Sequence, residues 1–166
     1  MSLIDELVAN NRAFAERFDR GHLDLQPSRR LAIVTCMDSR IDVFAALGLG
    51  DGDAHVLRNA GGLITDDVIR SLAISQRRLG TEAIMLIHHT DCGMQSITDD
   101  GFRAELQQAT GMAPAFAIES FTDVDANVRQ SILRVRRSPF LLHRDRVRGF
   151  VYDVDSGRLR EVPPSP

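Results

Sequence analysis

The sequence predicts an α/β fold: a central, mainly parallel β-sheet of about four parallel strands plus a C-terminal antiparallel strand, flanked by helices. One observation behind this prediction is the continuous apolar run over residues 31–37, which is typical of a strand that is covered on both faces. A second is that strand candidates alternate with helical segments, an order that favours parallel pairing. A third is a hairpin signal near the C-terminus, which predicts one antiparallel strand.

The first predicted element is an amphipathic helix over residues 3–18. Its apolar positions are spaced to share one face: Leu3, Leu7, Phe14 and Phe18. The apolar strand over residues 31–37 comes next. A short helix over residues 42–47 follows it, and Gly48 is expected to end that helix.

A second strand is predicted over residues 54–60. Thr65 and the two aspartates that follow it are typical of a helix start, because a hydroxyl caps the first amides and acids favour the first turn. That helix is expected to run to Leu79, with Gly80 ending it. A third strand is predicted over residues 82–89.

Two more helices are predicted over residues 99–109 and 123–137. The chain then returns to strand patterning. A last strand over residues 149–155 and a partner over residues 158–162 flank Gly157, which predicts the antiparallel hairpin.

The length of 166 residues fits one domain, and we expect a single domain over residues 1–166 with a helical arm at 1–25 and a frayed tail at 163–166. A net charge of −3 with 26% charged residues argues against binding to nucleic acid or to an anionic membrane by net charge. No apolar stretch approaches the length of a membrane span, and the N-terminus lacks signal-peptide features, so the cytoplasm is expected. The seven arginines between residues 129 and 148 are interpreted as a solvated face or a subunit contact.

The chemistry-bearing side chains fall at the carboxyl ends of two predicted strands. Cys36 ends the first strand, while His89 and Cys92 end the third in an H-x-x-C spacing. Ligands of open α/β sheets bind at such strand ends. Two thiolates and one imidazole suit zinc, and three protein ligands leave the fourth position open, as in catalytic zinc sites.

Asp38 and Arg40 follow closely on Cys36 in the segment C-M-D-S-R. A carboxylate two residues from Cys36 either occupies the fourth metal position or accepts a hydrogen bond from a metal-bound water. Arg40 has the planar donor geometry to hold Asp38 through two hydrogen bonds.

Other uses of these residues explain the pattern less completely. A cysteine hydrolase with Cys36 as nucleophile and His89 as base leaves Cys92 unexplained. A disulfide between the two cysteines is disfavoured in the cytosol. A zinc-containing regulatory or binding module without turnover leaves Asp38 and Arg40 without a role.

The combination of C-x-D-S-R with H-x-x-C some fifty residues later, and R-N-A-G at residues 58–61 between them, resembles the β-class carbonic anhydrases, in particular their short branch. The resemblance implies a homo-oligomer, a dimer or a dimer of dimers, in which the N-terminal helix packs on a partner subunit. It also implies one zinc ion per chain and reversible hydration of CO2 to bicarbonate by zinc-bound hydroxide. Enzymes that hydrolyse carbonyl sulfide or carbon disulfide resemble the same branch, so that substrate class is the alternative.

The resemblance implies a role for each site residue. Cys36, His89 and Cys92 correspond to zinc ligands, and Asp38 to a fourth ligand or to an acceptor for the zinc-bound hydroxide. Arg40 corresponds to the partner of that aspartate. Gly93 corresponds to the position whose backbone N–H faces the substrate oxygen.

Overall fold

A computed structural model describes residues 2–164 of the chain. Residues 165 and 166 of the tail that was predicted to fray lie outside the described residues. The helices are α1 (Leu3–Ala15), α2 (Val43–Leu47), α3 (Asp66–Leu79), α4 (Asp99–Thr110) and α5 (Val124–Arg137). The strands are β1 (Leu31–Cys36), β2 (Ala54–Asn59), β3 (Ala83–His89), β4 (Val147–Tyr152) and β5 (Leu159–Val162). None of the helices within residues 2–164 is both long enough and apolar enough to span a membrane.

The five strands form one sheet in the order β2-β1-β3-β4-β5. β1 pairs in parallel with β2 and β3, and β3 pairs in parallel with β4. β5 pairs antiparallel with β4. The predicted fold class, with four parallel strands and one antiparallel C-terminal strand, is therefore confirmed.

One face of the sheet is covered by α3 and α5. Buried side chains of both helices pack there against the strands: Val68, Leu72, Val128, Ile132 and Val135 with Ala32, Val34 and Leu86. Gly149 of β4 allows α5 to approach closely, because a Cβ atom there would lie 2.9 Å from Ile132 Cδ1. The helices pack against this face of the sheet, and the predicted site cysteines lie on the opposite face.

The opposite face holds a second core that includes both cysteines. Its buried members come from β1, β3, the start of α2 and the connecting loops: Ile33, Cys36, Ile41, Val43, Leu63, Ile87, Cys92 and Phe121. α1 contributes nothing to either core, because none of its residues is buried. Leu3 and Ile4 are 70% and 71% exposed, so its apolar face is uncovered in a single chain.

Three predicted boundaries differ from the structure by more than one residue. α1 ends at Ala15 and not at residue 18. The amides of Arg17 and Phe18 donate to carbonyls three residues earlier, which tightens the last turn. The strand predicted over residues 149–155 is β4, which begins and ends earlier. It ends where the Asp153 carbonyl accepts from the Gly157 amide at 2.8 Å and closes the hairpin.

Candidate metal centre

The carboxyl ends of β1 and β3 place Cys36 and His89 side by side. β1 ends at Cys36, β3 ends at His89, and the two strands pair in parallel with Thr35 opposite Ile87. Cys92 lies three residues beyond His89, directly before a short 3₁₀ turn over Gly93–Gln95. The structure thus brings together the three residues that the sequence predicted to converge.

These three side chains form the ligand cluster. One ligand atom each from Cys36, His89 and Cys92 lies within 4.8 Å of the other two, and all three residues are buried. His89 Nδ1 lies 2.8 Å from the Thr90 carbonyl, which can only accept, so Nδ1 carries the proton and Nε2 keeps a free lone pair. Nε2 is buried and has no hydrogen-bond partner among residues 2–164. Two sulfurs and this orphaned nitrogen fit a zinc ion.

The two thiols lie side by side and affect each other's pKa. The Cys92 thiol beside Cys36 lowers the pKa of Cys36, and Cys36 in turn raises the pKa of Cys92. Both cysteines are free of disulfides. The backbone N–H of Gly61 also donates to Cys36 Sγ at 3.3 Å, which favours the thiolate. A metal cation would bind both sulfurs as thiolates, because the thiolate is the metal-binding form.

Asp38 lies at the edge of the ligand cluster and is held by Arg40. Arg40 Nε donates to Asp38 Oδ1 at 3.0 Å and Nη2 donates to Oδ2 at 2.7 Å. These hydrogen bonds hold the pKa of Asp38 well below its usual value. Asp38 Oδ2 is 3.8 Å from His89 Nε2. Its carboxylate therefore sits beside the cluster, bound to Arg40 through both oxygens.

Two residues that support the ligands were missed in the sequence. Arg40 also contacts Asp91, which lies directly before Cys92. Gln95 accepts from the Cys92 amide at 3.3 Å and donates to the Thr122 carbonyl at 3.1 Å, which ties the Cys92 turn to the loop before α5. The T-D-C-G-M-Q string contains both side chains, but nothing in its spacing indicates what they reach.

Glycines border the cluster on two sides. Gly62 has a φ of +68°, and a Cβ atom there would lie 2.9 Å from the Cys36 backbone nitrogen. Only a glycine allows the backbone to pass this close to the end of β1. Gly93 begins the turn after Cys92, and the space where its Cβ would stand is open to 4 Å. Its N–H takes part in none of the loop and turn hydrogen bonds formed among residues 2–164.

Comparisons with known proteins agree with this geometry. A family model described as "Carbonic anhydrase" matches residues 31–115, which include the whole ligand cluster. Beta-carbonic anhydrase 1 of Mycobacterium tuberculosis is 51% identical over 164 residues, covering 99% of this chain and 100% of that protein.

Two further relatives extend the comparison. The crystal structure of carbonic anhydrase from Streptococcus mutans superposes with a TM-score of 0.92 at 46% identity, covering 98% of this chain and 99% of that one. A carbon disulfide hydrolase of Acidithiobacillus thiooxidans is 36% identical over 180 residues, covering 96% of this chain and 90% of that protein. With the fold, the paired cysteines and the histidine in place, the chain belongs to the β-carbonic anhydrase family.

Proposed function

We propose that this protein is a carbonic anhydrase that reversibly hydrates CO2 to bicarbonate and a proton, with one zinc ion per chain held by Cys36, His89 and Cys92. The observation that carries the proposal is the ligand cluster itself. Its three ligand atoms lie within 4.8 Å of one another, and His89 Nε2 has no hydrogen-bond partner among the described residues. The 51% identity to Beta-carbonic anhydrase 1 over nearly the full chain supports the same activity.

The residues around the cluster have distinct tasks in this proposal. When bound, zinc supplies the Lewis acidity that makes water a nucleophile near neutral pH. Asp38 stays ionised through its hydrogen bonds to Arg40 and accepts a hydrogen bond from the attacking water, which orients it. Gly93 presents its N–H to the substrate oxygen, in keeping with its absence from the loop and turn hydrogen bonds among residues 2–164.

Stopped-flow CO2 hydration tests the activity, on protein shown to hold one zinc per chain. We expect fast hydration that rises between about pH 7 and about pH 8.5, because the nucleophile must be deprotonated. The control is the Cys92→Ser variant, which loses a soft zinc ligand. Zinc-loaded protein without hydration at either pH would disprove the proposal.

Carbon disulfide hydrolysis is the second candidate, because the hydrolase of Acidithiobacillus thiooxidans aligns with 96% of this chain at 36% identity. It would use the same ligand cluster on a heavier substrate. The same zinc-loaded samples are incubated with CS2, and released hydrogen sulfide is measured. Hydrogen sulfide release without CO2 hydration would select this candidate.

The assembly is also part of the proposal: a single domain whose arm at residues 1–25 packs on a second copy, in a dimer or a dimer of dimers. The support is α1, a 13-residue helix with no buried residue and with Leu3, Ile4 and Leu7 all more than half exposed. Leu3→Glu and Leu7→Glu are expected to shift the species measured by sedimentation towards monomer. Unchanged sedimentation would show that the arm does not contribute to the interface.

Two further parts of the proposal concern the protein's surroundings. We place it in the cytoplasm, where a reducing environment keeps both ligand cysteines as free thiols. We assign no nucleic-acid or membrane partner, in keeping with the net charge of −3.

A further inference from the structure

Arg58, at the end of β2, donates to three backbone carbonyls of the loop that follows β1. Its Nε reaches the Cys36 carbonyl at 2.8 Å, and its Nη2 reaches the Asp38 carbonyl at 2.6 Å. Its Nη1 reaches the Ile41 carbonyl at 3.0 Å. One guanidinium therefore holds the start, the middle and the end of the segment from the first metal ligand to the buried Ile41.

The position of Arg58 follows from the sheet register. β2 pairs in parallel with β1, with Arg58 opposite Thr35 and Asn59 opposite Cys36. The ladder continues for one more bond, from the Met37 amide to the Asn59 carbonyl at 2.8 Å, and then stops. Beyond that point the loop leaves the sheet, and two of its carbonyls accept hydrogen bonds from the Arg58 side chain.

The contacts of Arg58 are directed at this loop. It forms no ion pair with a carboxylate among residues 2–164, although the residue is exposed. All three nitrogens of the planar guanidinium donate at once, in directions that are fixed relative to one another. A lysine ammonium at this position would bring one point charge and would not reproduce three donors in fixed relative directions.

Asp38 is thereby held from two sides. Arg40 binds its carboxylate through both oxygens, and Arg58 binds its backbone carbonyl. Arg40 belongs to the same loop and joins it to the Asp91 turn, whereas Arg58 belongs to β2 and joins the loop to the sheet. The contacts from Arg58 therefore fix where the loop, and with it the carboxylate, stands relative to the sheet that carries Cys36 and His89.

We infer that Arg58 is a positioning residue for the reaction, which acts by anchoring the Asp38 loop to the sheet and so sets the place of the Asp38 carboxylate beside the metal site. The inference rests on the role proposed for Asp38 above. It assigns a task to Arg58 of the R-N-A-G segment, a residue that supplies no zinc ligand and no substrate contact in the proposed mechanism.

Arg58→Ala and Arg58→Lys test this, with Arg103→Ala as the matched control. Arg103 also donates from a guanidinium to loop carbonyls, those of Pro114 at 2.6 Å and Phe116 at 3.5 Å, but that loop holds no site residue. Amide hydrogen exchange of the metal-free proteins is the first readout. We expect faster exchange confined to residues 37–41 in Arg58→Ala and no change there in Arg103→Ala.

The second readout is kcat/KM for CO2 in the zinc-loaded variants. Arg58→Ala is expected to lose about 10- to 100-fold with one zinc per chain retained, and Arg58→Lys to recover part of that loss. The double variant with Asp38→Ala should be no slower than Asp38→Ala alone, because Arg58 acts through that carboxylate. A loss that multiplies in the double variant, or an Arg58→Ala protein as active as Arg103→Ala, would overturn the inference.

The outcomes separate this inference from the proposed function. If Asp38→Ala is fully active, the role proposed for Asp38 fails. If Asp38→Ala is inactive while both Arg58 variants are normal, only the inference about Arg58 fails. If Arg58→Ala does not fold, Arg58→Lys decides: about threefold or greater loss with normal thermal unfolding supports positioning, and full activity rejects it.

Discussion

The guanidinium of Arg40 contacts Asp91 twice, although the two residues lie 51 positions apart. Nη1 donates to Asp91 Oδ2 at 2.8 Å, and Nη2 donates to the Asp91 carbonyl at 2.9 Å. The same side chain holds Asp38. Arg40 therefore joins the loop that follows Cys36 to the turn that precedes Cys92. The two segments that supply the ligands are fixed to each other by a side chain that is itself outside the ligand cluster.

Asp91 combines this ion pair with an uncommon backbone conformation, and the two can be separated by substitution. Its φ is +52°, in the left-handed region that Asp and Asn tolerate and β-branched residues avoid. We expect Asp91→Val to unfold more easily than Asp91→Asn by about 1–2 kcal/mol, since both lose the charge but only Val is strained there. Urea unfolding of the two zinc-loaded variants measures the difference. Equal stabilities would mean that the turn relaxes without strain.

Replacing Asp38 tests its place in the reaction. Asp38→Ala is expected to reduce CO2 hydration by about 100-fold while the protein still binds one zinc, because the three cluster ligands remain and the carboxylate acceptor is lost. Stopped-flow rates and metal analysis of the same sample provide the check. Asp67→Asn is the control, since Asp67 pairs with Arg70 on the exposed side of α3. Full activity of Asp38→Ala would refute the assigned role.

Gly62 is expected to be one of the most sensitive glycines of the chain. A Cβ atom there would stand 2.9 Å from the Cys36 nitrogen and 2.9 Å from the Thr35 carbonyl carbon, both backbone atoms that cannot move aside. Gly62→Ala should therefore cost about 2–4 kcal/mol of stability and weaken zinc binding.

Gly48→Ala is the matched control for that substitution. Gly48 also has a positive φ, +64°, but a Cβ atom there would meet nothing within 4 Å. Gly48→Ala should lower the free energy of unfolding by only about 1 kcal/mol, because it adds the strain of the positive φ without a steric contact. Thermal and urea unfolding compare the two, and similar losses would show that the steric contact at Gly62 is relieved by backbone shifts.

Asp125 and Arg160 predict a pH-dependent contribution to stability. Arg160 donates to both Asp125 oxygens, at 2.9 and 2.7 Å, which joins the first turn of α5 to β5 and lowers the pKa of Asp125 from its usual 3.8. Because the folded-state pKa is the lower one, the stabilisation is present above about pH 4 and is lost as the pH falls through the folded-state pKa.

The expected effect of Asp125→Asn is small. Arg160 is 58% exposed and solvent screens the pair, so we expect a loss of about 0.5 kcal/mol at neutral pH. The gap between wild type and variant should close as the pH falls from about 5 towards about 3. Urea unfolding across that range measures it, and a gap that stays constant would show that the carboxylate charge is not responsible.

Features of the chain that are local in sequence were predictable. The apolar run before Cys36 and the capping residue Thr65 specify a strand and a helix start through the side chains within a few positions. The pairing of Asp38 with Arg40 spans two residues and was expected from their chemistry. A mainly parallel sheet followed from the alternation of strands and helices, whereas the structure shows that β1 lies beside β3, which brings Cys36 to His89.

Contacts across the sheet were not predictable in the same way. Arg40 contacts Asp91, and Arg58 contacts the Asp38 loop. Both contacts depend on which residues of neighbouring strands lie opposite each other. A shift of one residue in that register would turn each side chain to the other face. The sequence by itself determined the fold class, the residue types of the candidate ligands and their places at the carboxyl ends of strands. The tertiary structure alone decided which side chains hold the ligand loops, because strand register and the path of the loops are set by packing of the whole chain.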